Sequence, residues 1–294
     1  MSRLVSMTEM LQKAKEGKYA VGQFNINNLE WTQAVLTAAQ EANSPIILGV
    51  SEGAGKYMGG PKVVSAMVNA LLDAMNITVP VALHLDHGSS VEVCKQYIDA
   101  GFSSVMFDHS HFPIDENIEL TKEVVEYAKF TGALVESELH YFGGSSNFHN
   151  EAINYDEVKK TFSTPEGAKA FVDATGVDTF AAAIGNLHGK YSVPKILDLN
   201  LLTSIRQSID CAISLHGGSG TPLHYFEDAA KIGVSKININ SDMRYVFRTT
   251  LEKVLADNPN EYAIVKLMPK IYTEVQAVVE EKINAFGSAG KVFI

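Results

Sequence analysis

Short apolar runs alternate along this chain with longer stretches whose apolar residues recur three and four apart. Residues 19–24 read as a strand and 29–42 as a helix. Strand 45–50 precedes helix 62–75, strand 80–85 precedes helix 91–100, and strand 103–107 precedes helix 115–131. Residues 133–139 form a fifth strand. A long loop rich in Ser, Asn and Gly, 142–162, leads to a helix that Thr164 caps, with Pro165 at its first position, running to 175. Then come strand 179–184, a helix near 199–208, strand 211–215, a helix near 223–232, strand 235–240 and a long helix 242–255. A further helix covers 266–285. Nearly continuous, β-branched strands belong to a parallel sheet buried on both faces, and eight strand–helix units suffice to close a barrel. The pattern therefore predicts an α/β protein, a (β/α)8 TIM barrel forming one domain over 1–294. A doubly wound open sheet is the alternative, but no GxGxxG follows the first strand.

In such barrels chemistry sits at the carboxyl ends of the strands. The third strand runs into His84, Asp86, His87 and Gly88, and the fourth into Asp108, His109, Ser110 and His111. The fifth carries Glu136 and Glu138, and the sixth leads to Asn186, His188 and Gly189. The seventh ends in His216, Gly217, Gly218, Ser219 and Gly220, and the eighth in Asn238, Ile239, Asn240, Ser241 and Asp242. The strand bodies read as apolar. A single histidine is more often a structural hydrogen-bonder than a ligand. His87, His188 and His216, however, are each followed by glycine at a strand end, and closing the barrel would bring them together. Three imidazoles with an open fourth position make a catalytic zinc site. His84 alternates with Asp86, so both share one face and His84 reads as a supporting residue. His109 and His111 are left open, while His140, His149 and His224 read as surface or loop residues.

The glycine-rich turn 217–220 and the polar stretch 238–241 follow the seventh and eighth strands. Barrels often bind phosphate there, through backbone N–H groups and a helix N-terminus. The plainer reading is a tight turn needing glycine for positive φ; the pairing of the two segments favours phosphate.

Composition narrows the partners. A formal net charge of −10 argues against nucleic acid or an anionic membrane surface, since both need a basic face. A pocket of opposite sign could still take an anionic small molecule. Cys94 and Cys211 form no short metal-binding spacing and read as two thiols of a cytosolic protein. Residues 1–18 lack the apolar core of a signal peptide, and no apolar run approaches the ~20 residues that span a bilayer. The expectation is a soluble, cytoplasmic protein.

Taken together, the motifs resemble the class II, metal-dependent fructose-bisphosphate aldolase family, which includes tagatose-bisphosphate aldolases. The resemblance runs almost end to end: YAVGQFNINN at 19–28, Ser51 to Ala54, HLDHG at 84–88, DHSHFP at 108–113, ESEL at 136–139, GNLHG at 185–189, LHGGSG at 215–220, KININSD at 236–242 and FGSAGK at 286–291. The order HLDHG, GNLHG, HGGSG is the most specific part. It implies catalytic zinc on His87, His188 and His216, Asp86 as the acid/base residue, and a second divalent ion on Asp108 and Glu138. Gly189, Gly217, Gly218, Ser219, Asn238, Ile239, Asn240 and Ser241 would hold dihydroxyacetone phosphate, with a monovalent cation beside the phosphate. Ser51 and Arg244 would face the glyceraldehyde 3-phosphate half. The implied reaction is reversible cleavage of fructose 1,6-bisphosphate, a step of glycolysis and gluconeogenesis. The implied assembly is a homodimer or homotetramer.

Two stretches depart from the family pattern. The mobile loop after the fifth strand usually reads GGEEDG; here it is Gly143, Gly144, Ser145, Ser146, Asn147, Phe148, His149, without either glutamate. His149 or Glu151 could replace the missing base. The usual LGPARE also reads Leu267, Met268, Pro269, Lys270, Ile271, and a lysine lacks the bidentate fork of arginine. Tagatose 1,6-bisphosphate or another ketose phosphate is therefore an alternative substrate. A metal- and phosphate-binding paralogue with little catalysis is a third reading, against which the intact Asp86 counts. A Schiff-base aldolase is disfavoured because Lys236 lies near the start of its strand, and a metal-dependent hydrolase because the first strand lacks an HxH pair.

Overall fold

The computed structural model describes residues 4–141 and 143–292, so Phe142, the first residue of the expected long loop, lies outside the described residues. The chain opens with helix α1 (Met7–Gly17), then β1 (Val21–Asn25), α2 (Leu29–Glu41), β2 (Ile46–Ser51), α3 (Glu52–Tyr57) and α4 (Pro61–Ala74). Next come β3 (Val81–Gly88), α5 (Val91–Asp99), β4 (Ser104–Phe107), α6 (Ile114–Ala128) and β5 (Leu134–Glu138). They are followed by β6 (Gly144–His149), α7 (Tyr155–Val158), a 3-10 turn (Lys159–Thr161), α8 (Pro165–Thr175), β7 (Thr179–Ala181) and β8 (His188–Tyr191). The chain continues through α9 (Leu199–Ser208), β9 (Ala212–Leu215), α10 (His224–Ile232), β10 (Val234–Ile239), α11 (Ser241–Asp257) and α12 (Ile264–Ala285). Eight of these strands close a parallel barrel in the order β1-β10-β9-β7-β5-β4-β3-β2. The ring shuts where β1 pairs with β10, Val21 opposite Lys236 through Phe24 opposite Ile239. The expected (β/α)8 architecture is the observed one.

Several features differ from the periodicity reading, which did not include α3, α7 or β8 and gave β7 three more residues. Helix α1 was not anticipated. Ser6 caps it, and Met7, Met10, Leu11 and Ala14 are buried. They pack with Val21, Ile47, Ala82 and Leu134, which lie low on the barrel strands, so α1 closes the end opposite the predicted site. Each of its buried Met and Leu side chains stabilises the fold by roughly 1.5–3 kcal/mol. The loop after β5 is partly ordered too: β6 pairs in parallel with β8, outside the barrel ring. Finally, the strand bodies are not uniformly apolar. Above the apolar floor lie His84, Glu136, Ser214 and Lys236, each at most 1% exposed. Alternate residues of a barrel strand point inward, so on β3 the sequence Ala82, His84, Asp86 climbs from floor to mouth. On β5 the same climb is Leu134, Glu136, Glu138. The inner layers thus change from apolar to polar towards the carboxyl ends, and the polar layer is the platform on which the site rests.

No helix among the described residues is long and apolar enough to cross a membrane.

Candidate functional site

His87 sits on the last turn of β3 with φ of 57°, a left-handed conformation that costs energy for any residue but glycine. That backbone turn aims its ring across the barrel mouth. His188 begins β8, and Gly189 behind it has φ of 96°, where a Cβ would come within 2.3 Å of the Ser145 carbonyl oxygen. His216 follows β9. Gly217 next to it has φ of 61°, and a Cβ there would lie 2.1 Å from the Leu187 carbonyl oxygen. The glycines after the two histidines therefore let the turns approach each other closely, besides supplying positive φ.

The three rings meet. Their centroids are 5.0 Å apart for His87 and His188, 5.0 Å for His87 and His216, and 5.8 Å for His188 and His216. One nitrogen from each lies within 4.8 Å of the others, so the set could hold a metal ion. The outer nitrogens strengthen this reading. His87 Nδ1 lies 2.7 Å from Asp108 Oδ2, and His216 Nε2 lies 2.6 Å from Glu136 Oε1. A carboxylate accepts, so each imidazole donates its outer N–H. The inner nitrogens, His87 Nε2 and His216 Nδ1, then face each other at 3.1 Å. Two imidazoles oriented by carboxylates, with their inner nitrogens converging, match the donor arrangement of a metal centre. A second group, His87, Asp108 and Glu138, could likewise hold an ion.

Charge is concentrated here. Burial works against ionisation of His87, but the hydrogen bond it donates to Asp108 and the charges of Asp86 and Glu138 outweigh it and raise His87 to about 9. Burial pushes His188 well below its usual value and lowers His216, which Glu136 partly offsets. Burial, and after it Asp108, raises Glu138 to about 8. Among the described residues neither Glu138 oxygen accepts a hydrogen bond of ordinary geometry, and the Ser110 hydroxyl donates to Asp108 at 2.6 Å. A divalent cation would satisfy that acidic pair. Burial would raise the Asp86 carboxyl as well, but His87, His216, the hydrogen bond from Asn25 and Lys236 hold it well below the carboxylate range.

Beneath the histidines, Glu136 is the hub of the polar layer. Its Oε1 accepts from His216, from Ser214 at 2.8 Å and from Lys236 at 3.1 Å, and its Oε2 forms an ion pair with Lys236 at 2.9 Å. Lys236 also donates to Asn238 Oδ1 at 2.8 Å. Although Lys236 stands near the start of β10, its side chain reaches the layer directly under the site. His84, lowered to about 3 by burial and then by Lys236, lies in the same buried layer and bonds Ser104 at 2.7 Å.

A cavity of about 200 Å³ opens above. Of the expected site residues, Asp86, His87, Asp108, His188, Gly189, Gly217, Ser219, Asn238, Asn240 and Ser241 line it. His216 and Glu138 lie fully buried beneath. Gly218 and Ile239 pack into the barrel wall, where Gly218 donates to the Asn238 carbonyl. Ser51 caps α3 by accepting from Ala54 N–H, and Arg244 is exposed on α11. Neither lines the cavity. Asn25, Tyr141, Ser145 and Ser146 do, and were not anticipated. Asn25 Nδ2 donates to Asp86 Oδ2 at 2.7 Å, a contact foreshadowed by a polar residue at the carboxyl end of β1. His149 is turned aside: its ring stacks on Tyr191 with centroids 4.5 Å apart, and its Nε2 donates to the Ser145 carbonyl. Glu151 is exposed.

Comparison with known proteins agrees with this geometry. The family model "Fructose-bisphosphate aldolase class-II" matches residues 5–291. The fructose-bisphosphate aldolase of Geobacillus stearothermophilus is 48% identical over 98% of this chain and 98% of its own length. The 6-phospho-5-dehydro-2-deoxy-D-gluconate aldolase of Bacillus licheniformis is 44% identical over 98% of this chain and 96% of its own. The crystal structure of the YdjI aldolase from Escherichia coli superposes with a TM-score of 0.84 at 30% identity, covering 99% of this chain and all of that one. With a closed barrel, converging histidines and relatives of this likeness along nearly its whole length, the chain belongs to the class-II fructose-bisphosphate aldolase family of carbon–carbon lyases.

Proposed function

We propose that this protein is a zinc-dependent ketose-phosphate aldolase that cleaves fructose 1,6-bisphosphate to dihydroxyacetone phosphate and glyceraldehyde 3-phosphate. The observation that carries the reading is the convergence of His87, His188 and His216 beside Asp86, with two of the rings held by carboxylates. These histidines would hold the catalytic zinc, and Asp108 with Glu138 a second divalent ion. The zinc, when bound, acts as a Lewis acid that stabilises negative charge developing on the ketone oxygen as C3–C4 breaks.

The chain's own residues do the rest. Asp86 is ionised and pinned from both sides, by Asn25 at 2.7 Å and by Asn238 at 3.4 Å. It takes the C4 hydroxyl proton as the bond breaks and returns it in condensation. The turns at Gly189, Gly217 and Ser219 and at Asn238, Asn240 and Ser241 cradle the phosphate of the dihydroxyacetone half. That fixes the ketone against the histidines and Asp86.

One observation favours a second reading. No lysine or arginine is among the described residues that line the cavity. Arg244 is exposed, and Lys270 stands on the outer face of α12. A substrate with a single phosphate, on the dihydroxyacetone side, would need neither. A cleavage screen with added zinc separates the two readings: fructose 1,6-bisphosphate, tagatose 1,6-bisphosphate and a ketose 1-phosphate, on wild type and Asp86→Ala. Fructose 1,6-bisphosphate is expected to be cleaved by wild type alone. A kcat/KM more than ~10-fold higher for the ketose 1-phosphate, a gap of about 1.4 kcal/mol, would move the assignment to the second reading. No cleavage of any sugar by zinc-loaded wild type would leave the paralogue reading standing.

A further inference from the structure

Lys195, in the connection between β8 and α9, is 1% exposed. Its Nζ lies within hydrogen-bond distance of four main-chain carbonyl oxygens: Leu187 at 2.7 Å, Gly189 at 2.6 Å, Gly217 at 2.7 Å and Ser219 at 2.5 Å. An ammonium has three protons, so four oxygens at this range exceed what hydrogen bonding alone requires. Four carbonyl oxygens aimed at one point repel one another unless a positive charge sits among them. This is how carbonyl rings strip and hold a monovalent ion. The Tyr191 ring adds its face 5.7 Å from Nζ. Three of the four carbonyls belong to Gly189, Gly217 and Ser219, which also line the cavity. The ammonium is therefore seated directly behind the turns assigned to the phosphate.

The family resemblance implies a dissociable monovalent cation beside that phosphate. Here the carbonyl cage suited to such an ion is already filled by a side chain. We propose that the Lys195 ammonium replaces the dissociable cation, so that this protein holds its substrate's phosphate without potassium, ammonium or sodium from solution. A tethered charge pays no translational entropy on binding and cannot be diluted away. Its position behind two turns lets it attract the dianion without blocking the cradle. Burial pushes Lys195 down to about 7, with Asp242 acting in the opposite direction, so a phosphate across the turns would also stabilise the charged amine.

The inference rests on the phosphate cradle proposed above, and one experiment separates the two. Inorganic phosphate is titrated into zinc-loaded protein, free of excess zinc, in tetramethylammonium salt, which is too large for the cage, and in potassium salt of equal ionic strength. Wild-type affinity is expected to change less than about twofold between the salts. Lys195→Met is expected to bind at least ~10-fold more weakly in tetramethylammonium, through loss of a charge-assisted contact, and to recover in potassium or ammonium as the ion enters the vacated cage. A purely structural lysine would lower the melting temperature without this salt-specific recovery of phosphate affinity. A wild type that gains ~10-fold on adding potassium would overturn the inference. So would a folded Lys195→Met variant that matches wild type in tetramethylammonium. If that variant does not fold, the wild-type comparison alone decides. Absence of phosphate binding by wild type in every salt would overturn the cradle itself, and the inference with it.

Discussion

Replacing Asp86 with alanine is expected to lower turnover by ~10²–10⁴-fold, the span of a positioned general acid/base, while zinc affinity stays within a few-fold of wild type. The reasoning is geometric. Asp86 touches the cavity but is not one of the converging ring nitrogens, so its removal leaves the donor set intact. Its hydrogen bonds come from two amides, Asn25 and Asn238, which fix the carboxylate without giving it a mobile proton. The measurement is steady-state cleavage alongside equilibrium zinc binding. Parallel loss of both would make Asp86 a structural support of the metal site instead of the proton carrier.

The second large effect lies one layer deeper. Glu136→Leu would leave the Lys236 ammonium, 0% exposed, with Asn238 Oδ1 as its remaining acceptor among the described residues, and would remove the carboxylate that accepts from His216 Nε2–H at 2.6 Å. Removing one member of a buried ion pair costs about 3–5 kcal/mol, because the other charge stays behind undischarged. At roughly 2–4 °C per kcal/mol the melting temperature should fall by about 6–20 °C. Adding Lys236→Met should return most of that stability, since a buried pair can often be exchanged for apolar side chains. It should not return the metal. Without Glu136 the His216 ring loses its orienting carboxylate, a change that typically costs ~10–100-fold in affinity. Thermal melts and zinc titrations of the single and double variants separate the two roles. A double variant that regains both would show that Glu136 serves only to neutralise Lys236.

Most of the barrel was legible because each strand–helix unit carries its own local period, and because polar residues gather where strands end. The convergence of His87, His188 and His216 needed only the closed ring to follow from their positions. Other features had weaker signals. Helix α1 does show its apolar residues at 7, 10, 11 and 14 behind a serine cap, but it precedes β1 and so stands outside the strand–helix repeat. The pairing of β6 with β8 joins Ser-, Asn- and Gly-rich residues to a strand far along the chain, with no alternation to announce it. The polar layer was missed because Glu136 and Lys236 are 100 residues apart, and each looks like an isolated charge in an apolar run. Lys195 was the least legible. Its partners are backbone carbonyls from two turns, and main-chain oxygens carry no sequence signature. Asn25 could have been found by applying to β1 the rule already used on the later strands.

These omissions share a physical cause. Local periodicity reports which face of an element is buried, but not what a buried polar group meets across the barrel. The interior of this protein is where distant polar groups must find one another or remain costly, and Glu136, Lys236 and Lys195 are all resolved by partners supplied from other strands or turns.

The most direct test of the metal-centred assignment is cleavage of fructose 1,6-bisphosphate by protein stripped with a chelator, then reloaded with zinc, with a parallel sample treated with borohydride in the presence of substrate. The expected result is loss of activity on chelation, recovery with zinc, and no effect of borohydride. Activity that survives complete metal removal, or that borohydride abolishes, would contradict the assignment of the chemistry to the His87, His188 and His216 centre.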